Sequence, residues 1–226
     1  MSAVQHRDGP HGARMLLLDA PERRNALRLG MLDALSAGLS EDPDRTVVIA
    51  SSTPGIFCAG ADLRVPDEER ASISDRLYEL YELMVTRPGV VVALVDGAAV
   101  GGGAQLATAA DLRIVTGRAR FRWVGPGHGL AVGAWILPHL VGRTAALDLA
   151  LTARWVDAPA AVRLGLAVEV SDSADAELER ICAGVTSGAP SAVGRVKQVA
   201  APSGLVEVLR RERQLNAAAW DGRVGG

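Results

Sequence analysis

The run Gly101-Gly102-Gly103 constrains this chain more than any other feature. It follows the apolar stretch Val90-Val91-Val92-Ala93-Leu94-Val95 and opens into Leu106-Ala107-Thr108-Ala109-Ala110, which reads as a strand, a tight turn and a helix start. A helix start leaves backbone N–H groups unpaired, and glycines let another group approach them closely. A second loop of small residues, Phe57-Cys58-Ala59-Gly60-Ala61-Asp62, comes a short turn after the strand-like Thr46-Val47-Val48-Ile49-Ala50-Ser51. Two N–H groups converging from separate loops form an oxyanion hole. The first loop ends in Gln105, an amide with no carboxylate next to it. Such a pair of loops can polarise a carbonyl but is poorly equipped to move a proton.

Strand-like and helical segments alternate along the chain. Met15–Leu18, Thr46–Ser51, Val90–Val95, Leu112–Val115 and the short Ala119–Phe121 read as strands. Apolar residues at helical spacing predict helices over Asn25–Leu39 (Leu27, Met31, Leu32, Leu35, Leu39) and Asp67–Val85 (Leu77, Leu80, Tyr81, Met84). Past Gly133 the pattern is helical almost to the end, with breaks at Thr152, Gly165, Gly188 and Pro202. No internal repeat or low-complexity linker interrupts it. Repeated strand–turn–helix units predict an α/β fold with a mostly parallel sheet, helices outside, and ligands gathered beyond the strand ends. The division expected is a core over residues 1–142 and a helical region over 143–226.

Composition narrows the function classes. At 226 residues the chain is one domain's worth, and with 49% hydrophobic residues it can build a substantial core. A formal net charge of −2 gives no electrostatic reason to expect nucleic acid. No apolar run reaches membrane-spanning length, and the first residues lack a signal-peptide core, so a cytoplasmic protein without membrane insertion is expected. The two cysteines, Cys58 and Cys182, lie in apolar surroundings. They read as small buried hydrophobes of a reducing compartment rather than as a disulfide or metal pair.

Four segments now matter together: Leu18–Leu27 (LDAPERRNAL), Phe57–Leu63 (FCAGADL), Gly101–Ala107 (GGGAQLA) and Leu151–Ala158 (LTARWVDA). In this order and spacing, with Arg163–Val170 (RLGLAVEV) closing the series, they resemble the signature segments of the crotonase (enoyl-CoA hydratase/isomerase) superfamily. The resemblance implies a spiral of ββα units with a C-terminal helical region, and a homotrimer or hexamer. It also implies an acyl-CoA ligand whose thioester oxygen sits between the backbone N–H groups of Ala61 and Gly102. Coenzyme A is then part of the substrate, and no separate cofactor or metal is expected. Arg23, Arg24, Ala26 and Ala59 would lie near its adenosine diphosphate end, with Arg64 close by and Asp62 bracing the loop.

The chemistry implied is less complete. Hydration needs a base for the water and an acid for the α-carbon. The two glutamates that hydratases carry fall here at Gln105 and Gly125. An amide can hold a water but cannot take its proton, and glycine offers nothing. Standard hydratase activity is not expected, and the chain resembles a divergent actinobacterial branch that lacks the same carboxylates. His128, in the loop Gly125-Pro126-Gly127-His128-Gly129, is the best substitute acid or base, although a solvent-facing loop histidine is the commoner arrangement. Trp135 reads equally as a wall of the acyl pocket or as core packing, and Tyr78 and Tyr81 likewise. His139 reads as a surface residue, Cys58 as inert, and the run Arg210-Arg211-Glu212-Arg213 as a solvated helix face or subunit contact. The sequence shows no further helix after Asp221 of the kind that closes the acyl site in the family. Three readings follow: an acyl-CoA binding protein, an enzyme (isomerase, decarboxylase, thioesterase or weak hydratase) with a substituted base, and a structural partner with an empty pocket.

Overall fold

The computed structural model describes residues 3–224. An antiparallel pair, β1 (Val4–Asp8) and β2 (Arg14–Leu18), leads into α1 (Leu29–Ser40). Two strand–strand–helix units follow. The first is β3 (Val47–Ser51), β4 (Gly55–Cys58) and α2 (Asp67–Thr86); the second is β5 (Val91–Val95), β6 (Gly97–Val100) and α3 (Gly102–Ala109). Next come β7 (Leu112–Thr116), β8 (Arg120–Arg122) and α4 (Leu137–Val141). The remainder is α5 (Arg143–Thr152), β9 (Val156–Asp157), α6 (Ala158–Arg163), β10 (Val170–Ser171), α7 (Ala174–Thr186), α8 (Pro190–Ala200) and α9 (Leu205–Val224).

Each unit gives its first strand to one sheet and its second strand to another. The larger sheet runs β1-β2-β3-β5-β7-β10, parallel except at β1, and the smaller runs β4-β6-β8-β9, parallel except at β9. Continuous apolar strands such as Val47-Val48-Ile49-Ala50 have both faces covered, which is what a parallel sheet with helices outside requires. Helix α2 carries Asp67, Glu68 and Glu69 in its first turn, where the helix dipole favours negative charge. It buries Ile73, Leu77, Tyr78, Leu80, Tyr81 and Met84 along one stripe.

Two expectations are revised. The first helix begins at Leu29 rather than at Asn25. Arg24 and Asn25 both have φ of 53°, and the buried Asn25 side chain accepts from Ala20 N and donates to Ser51 Oγ and Phe57 O at 2.8–3.0 Å. Asparagine tolerates this left-handed geometry and ties the turn with its amide, so the helix cannot start earlier. Second, β4 takes in the first two residues of the Phe57–Asp62 segment, β6 precedes the glycine run, and β9 and β10 interrupt the helical tail. Strands β4 and β6 lie so close that a Cβ at Gly97 would meet Gly55 C at 2.0 Å. Glycine and alanine give such strands little signal of their own; the pairing comes from tertiary context. Because β9 joins β8 and β10 joins β7, the segment after residue 142 also completes one edge of each sheet. The last helix, α9, packs along α2, held by ion pairs of Arg210 with Glu82 and of Arg213 with Asp75 and Glu79.

Candidate active site

The loop after β4 is set by a single parallel bridge between Leu27 and Ala61. Leu27 N donates to Gly60 O at 2.8 Å and Asp62 N donates to Leu27 O at 3.0 Å. The intervening Ala61 N–H makes no hydrogen bond among the described residues. Opposite it, Gly101 has φ of 53° as the residue before α3, and Gly102 begins the helix with its N–H also unpaired among the described residues. The loops touch: a Cβ at Gly60, whose φ is 88°, would fall 2.6 Å from Val100 O and 3.2 Å from Gly102 N. A Cβ at Gly103 would meet Cys58 O at 2.4 Å. Glycine at both positions is therefore a condition of the approach. Tyr81 OH donates to Gly102 O at 2.8 Å and fixes the start of α3 from α2.

Beside this pair of loops opens a cavity lined by Ala61, Gly102, Leu77, Tyr78, Gln105 and His128 among others. Among the described residues no carboxylate lines it. Its roof comes from α9, through Asn216 and Trp220, with the Arg70 guanidinium 5.1 Å from the Trp220 ring centre.

Gln105 is buried, and its Oε1 accepts from Gly133 N at 3.0 Å and from Trp135 Nε1 at 2.8 Å. Trp135 is fully buried behind Gln105 and stacked on Tyr81 at 6.0 Å. It takes the core position rather than the pocket wall. Gly125 does line the cavity. A Cβ there would lie 2.5 Å from Leu130 O and 2.8 Å from Val132 N, because the short 125–133 loop folds back over it. Nothing larger than glycine fits at this position without moving backbone.

Sequence reasoning missed Glu212. The carboxylate is buried, yet it accepts from Tyr78 OH at 2.8 Å, Gly133 N at 3.1 Å and Trp135 N at 2.9 Å. Burial pushes its carboxyl above the ordinary glutamate range despite these hydrogen bonds. Asn216 Nδ2 donates to Tyr78 OH at 2.7 Å and to Ala131 O at 2.7 Å, while Ala131 N donates to Asn216 Oδ1 at 2.8 Å. Burial and the neighbouring Glu212 charge hold the Tyr78 hydroxyl well above its usual range, so it is a neutral donor. A signal was available: Leu205, Leu209, Glu212, Asn216 and Trp220 recur every three or four residues and are all buried.

The charged residues near the loop gather on Asp62. It is buried and paired with Arg23 at 2.9 Å, Arg64 at 3.2 Å and Arg28 at 3.5 Å. Burial opposes its charge, but hydrogen bonds from Arg64 and Arg23 outweigh this and hold its carboxyl below the usual range. Arg24 is exposed and Ala26 buried, and neither lines the cavity, whereas Ala59 does; Ala59 N donates to Arg24 O at 3.0 Å. Cys58 lies beneath the loop with its thiol pushed up to about 12 by burial, which leaves it unreactive. His139 is exposed.

The enoyl-CoA hydratase/isomerase family model matches residues 10–215. This chain belongs to the enoyl-CoA hydratase/isomerase family. A relative described as probable enoyl-CoA hydratase echA6, from Mycobacterium leprae, is 34% identical over 219 residues, covering 92% of this chain and 87% of its own. The protein of the same description from Mycobacterium tuberculosis is 34% identical, covering 90% and 85%. Among solved structures, the enoyl-CoA hydratase from Bacillus anthracis superposes with a TM-score of 0.82 at 25% identity, covering 99% of this chain and 92% of that one. The enoyl-CoA hydratase from Thermoplasma volcanium gives 0.81 at 27% identity, covering 96% and 92%. The family fold expected from the four sequence segments is thus the fold observed. Among the described residues no helix is long and apolar enough to cross a membrane.

Proposed function

We propose that this family member binds acyl-CoA thioesters in the cavity beside Ala61 and Gly102 and does not carry out standard hydration. The thioester oxygen would accept from the two unpaired amides, and each such donor stabilises developing negative charge by about 3–4 kcal/mol in a dry site. The observation that carries the second half is the cavity wall, in which no carboxylate appears among the described residues. Hydration needs a proton acceptor and a proton donor at the acyl group. Gln105 supplies an amide whose oxygen is already engaged twice, and the Gly125 position cannot hold a longer side chain. Arg23, Arg28 and Arg64 gather on Asp62 next to Ala61, with Glu22 3.9 Å from Arg23 and Glu69 3.8 Å from Arg28, and their guanidinium groups are the ones suited to the phosphates of coenzyme A. A cytoplasmic homotrimer or hexamer, as in the family, belongs to the same reading.

One observation favours a second reading. His128 lines the cavity, and a histidine there could exchange a proton with an enolate held by the two amides. Isomerisation, decarboxylation or thioester hydrolysis would then be open.

Isothermal titration with CoA and with acyl-CoAs of rising chain length, followed by mass spectrometry of the same samples, separates the readings. The binding reading expects saturable heats and unchanged ligand mass, with Gly102→Pro weakening affinity through loss of a donor and His128→Ala leaving it in place. Turnover lost in His128→Ala would establish the enzyme reading. No heat with any acyl-CoA would overturn both and leave a structural partner.

A further inference from the structure

The orientation of the Gln105 amide is not a free choice. Its two contacts, Gly133 N and Trp135 Nε1, are both N–H groups with nothing to accept, so both must meet the oxygen. The NH2 end is thereby turned to the other side. Nε2 has no hydrogen-bond partner among the described residues, and it is not among the buried atoms left unsatisfied, so it opens onto the cavity that Gln105 lines. The residue itself is only 4% exposed. The cavity therefore contains a donor pair with a fixed direction, held from behind by a fully buried tryptophan. Burying a donor that meets no acceptor costs on the order of 1–3 kcal/mol, which a matching ligand oxygen recovers.

Position follows from the helix. Gln105 lies three residues after Gly102 on α3, one turn further along the same face and about 4.5 Å in rise. Gly102 and Gln105 line the same cavity, so an acyl chain that runs along α3 from a thioester oxygen on the Gly102 amide would pass Gln105 within its first two or three carbons. Resting on the acyl-CoA reading above, we propose that Gln105 selects acyl-CoAs that carry an acceptor oxygen close to the thioester, with 3-oxoacyl-CoA the best match. A ketone oxygen accepts and does not donate, as the NH2 group requires. An unsubstituted chain at the same place leaves the donor dry and unpaired. The amide is a binding and selecting group here, and no bond to the ligand is made or broken by it.

The test compares four ligands on the full chain by titration calorimetry: CoA, hexanoyl-CoA, 3-oxohexanoyl-CoA and 5-oxohexanoyl-CoA. The expected result is 3-oxohexanoyl-CoA bound about three- to tenfold more tightly than hexanoyl-CoA, from one hydrogen bond in a dry site. The 5-oxo isomer, with its oxygen beyond reach, stays within about twofold of hexanoyl-CoA. In Gln105→Met the 3-oxo to hexanoyl ratio collapses to about one. In the wild type, the Gln105 side-chain NH2 resonances, assigned by their loss in Gln105→Met, shift with the 3-oxo ligand and less with hexanoyl-CoA. Equal affinity for the 3-oxo and hexanoyl ligands overturns this inference and leaves acyl-CoA binding standing. Failure of all three acyl-CoAs to bind overturns the acyl-CoA reading, and this inference with it. Should Gln105→Met not fold, the wild-type comparison decides alone.

Discussion

Gln105 and Glu212 accept hydrogen bonds from one backbone amide, Gly133 N–H, at 3.0 and 3.1 Å. Two oxygens that share a donor lie side by side, so only one of these side chains can be charged without strong repulsion. The helix α9 supplies the carboxylate and α3 supplies the neutral amide. Gln105→Glu therefore does not create a catalytic base. It is expected to lower the melting temperature at neutral pH, with much of the loss recovered as the pH falls and the pair shares a proton. Thermal melts across pH check this; a variant as stable as the wild type at neutral pH would show that the two oxygens do not compete.

Gly125→Glu is expected to fail for a steric reason. Its first side-chain carbon meets Leu130 O and Val132 N at 2.5 and 2.8 Å, both backbone atoms. The cost of pushing the loop away is about 2 kcal/mol or more, by analogy with overpacked cores. Already Gly125→Ala should show most of it. Urea unfolding measures the loss, and an alanine variant with unchanged stability would mean that the loop yields easily.

Glu212 makes stability depend on pH in a defined direction. Its folded carboxyl binds a proton more tightly than the unfolded one, because burial penalises the charge. Stability from this group is fully present below the ordinary glutamate range, near 4.3, and is lost as pH rises toward the higher folded value. Glu212→Gln removes the titration and turns an NH2 group toward one of the three donors. The variant is expected to be about 1–3 kcal/mol less stable at pH 4, with the gap narrowing as pH rises. Groups common to both proteins cancel in the difference. A gap that widens with pH would reverse the assignment.

Cys58 and Cys182 are both buried with thiols raised above the free value, Cys58 to about 12. Neither should be alkylated by iodoacetamide at pH 8 in the folded protein, and both should be in denaturant. Intact mass gives the number of labels directly. Labelling of Cys58 in the native state would mean that the loop over it opens readily, contrary to the tight contact with Gly103.

Much of the scaffold is legible in the sequence alone, because its signals are local. The apolar runs of β3 and β5, the period of α2 and the glycine run at the start of α3 each carry their meaning within a few residues. Other features needed partners far along the chain. The turn at Asn25 is decided by Ala20, Ser51 and Phe57, and β4 and β6 by each other across about forty residues. The site divides in the same way.

The residue types at the two loops, and the absence of a carboxylate at positions 105 and 125, were determined by sequence alone, since a side chain's chemistry does not depend on the fold. What those residues can do was decided only by tertiary structure. Trp135 became the clamp behind Gln105 rather than a pocket wall, and a run that looks like a solvated basic face delivered the buried Glu212. Hydrogen bonds have direction and act over about 3 Å. Which end of an amide faces a ligand is therefore set by whatever the fold brings against its other end, here two N–H groups from a loop nearly thirty residues away.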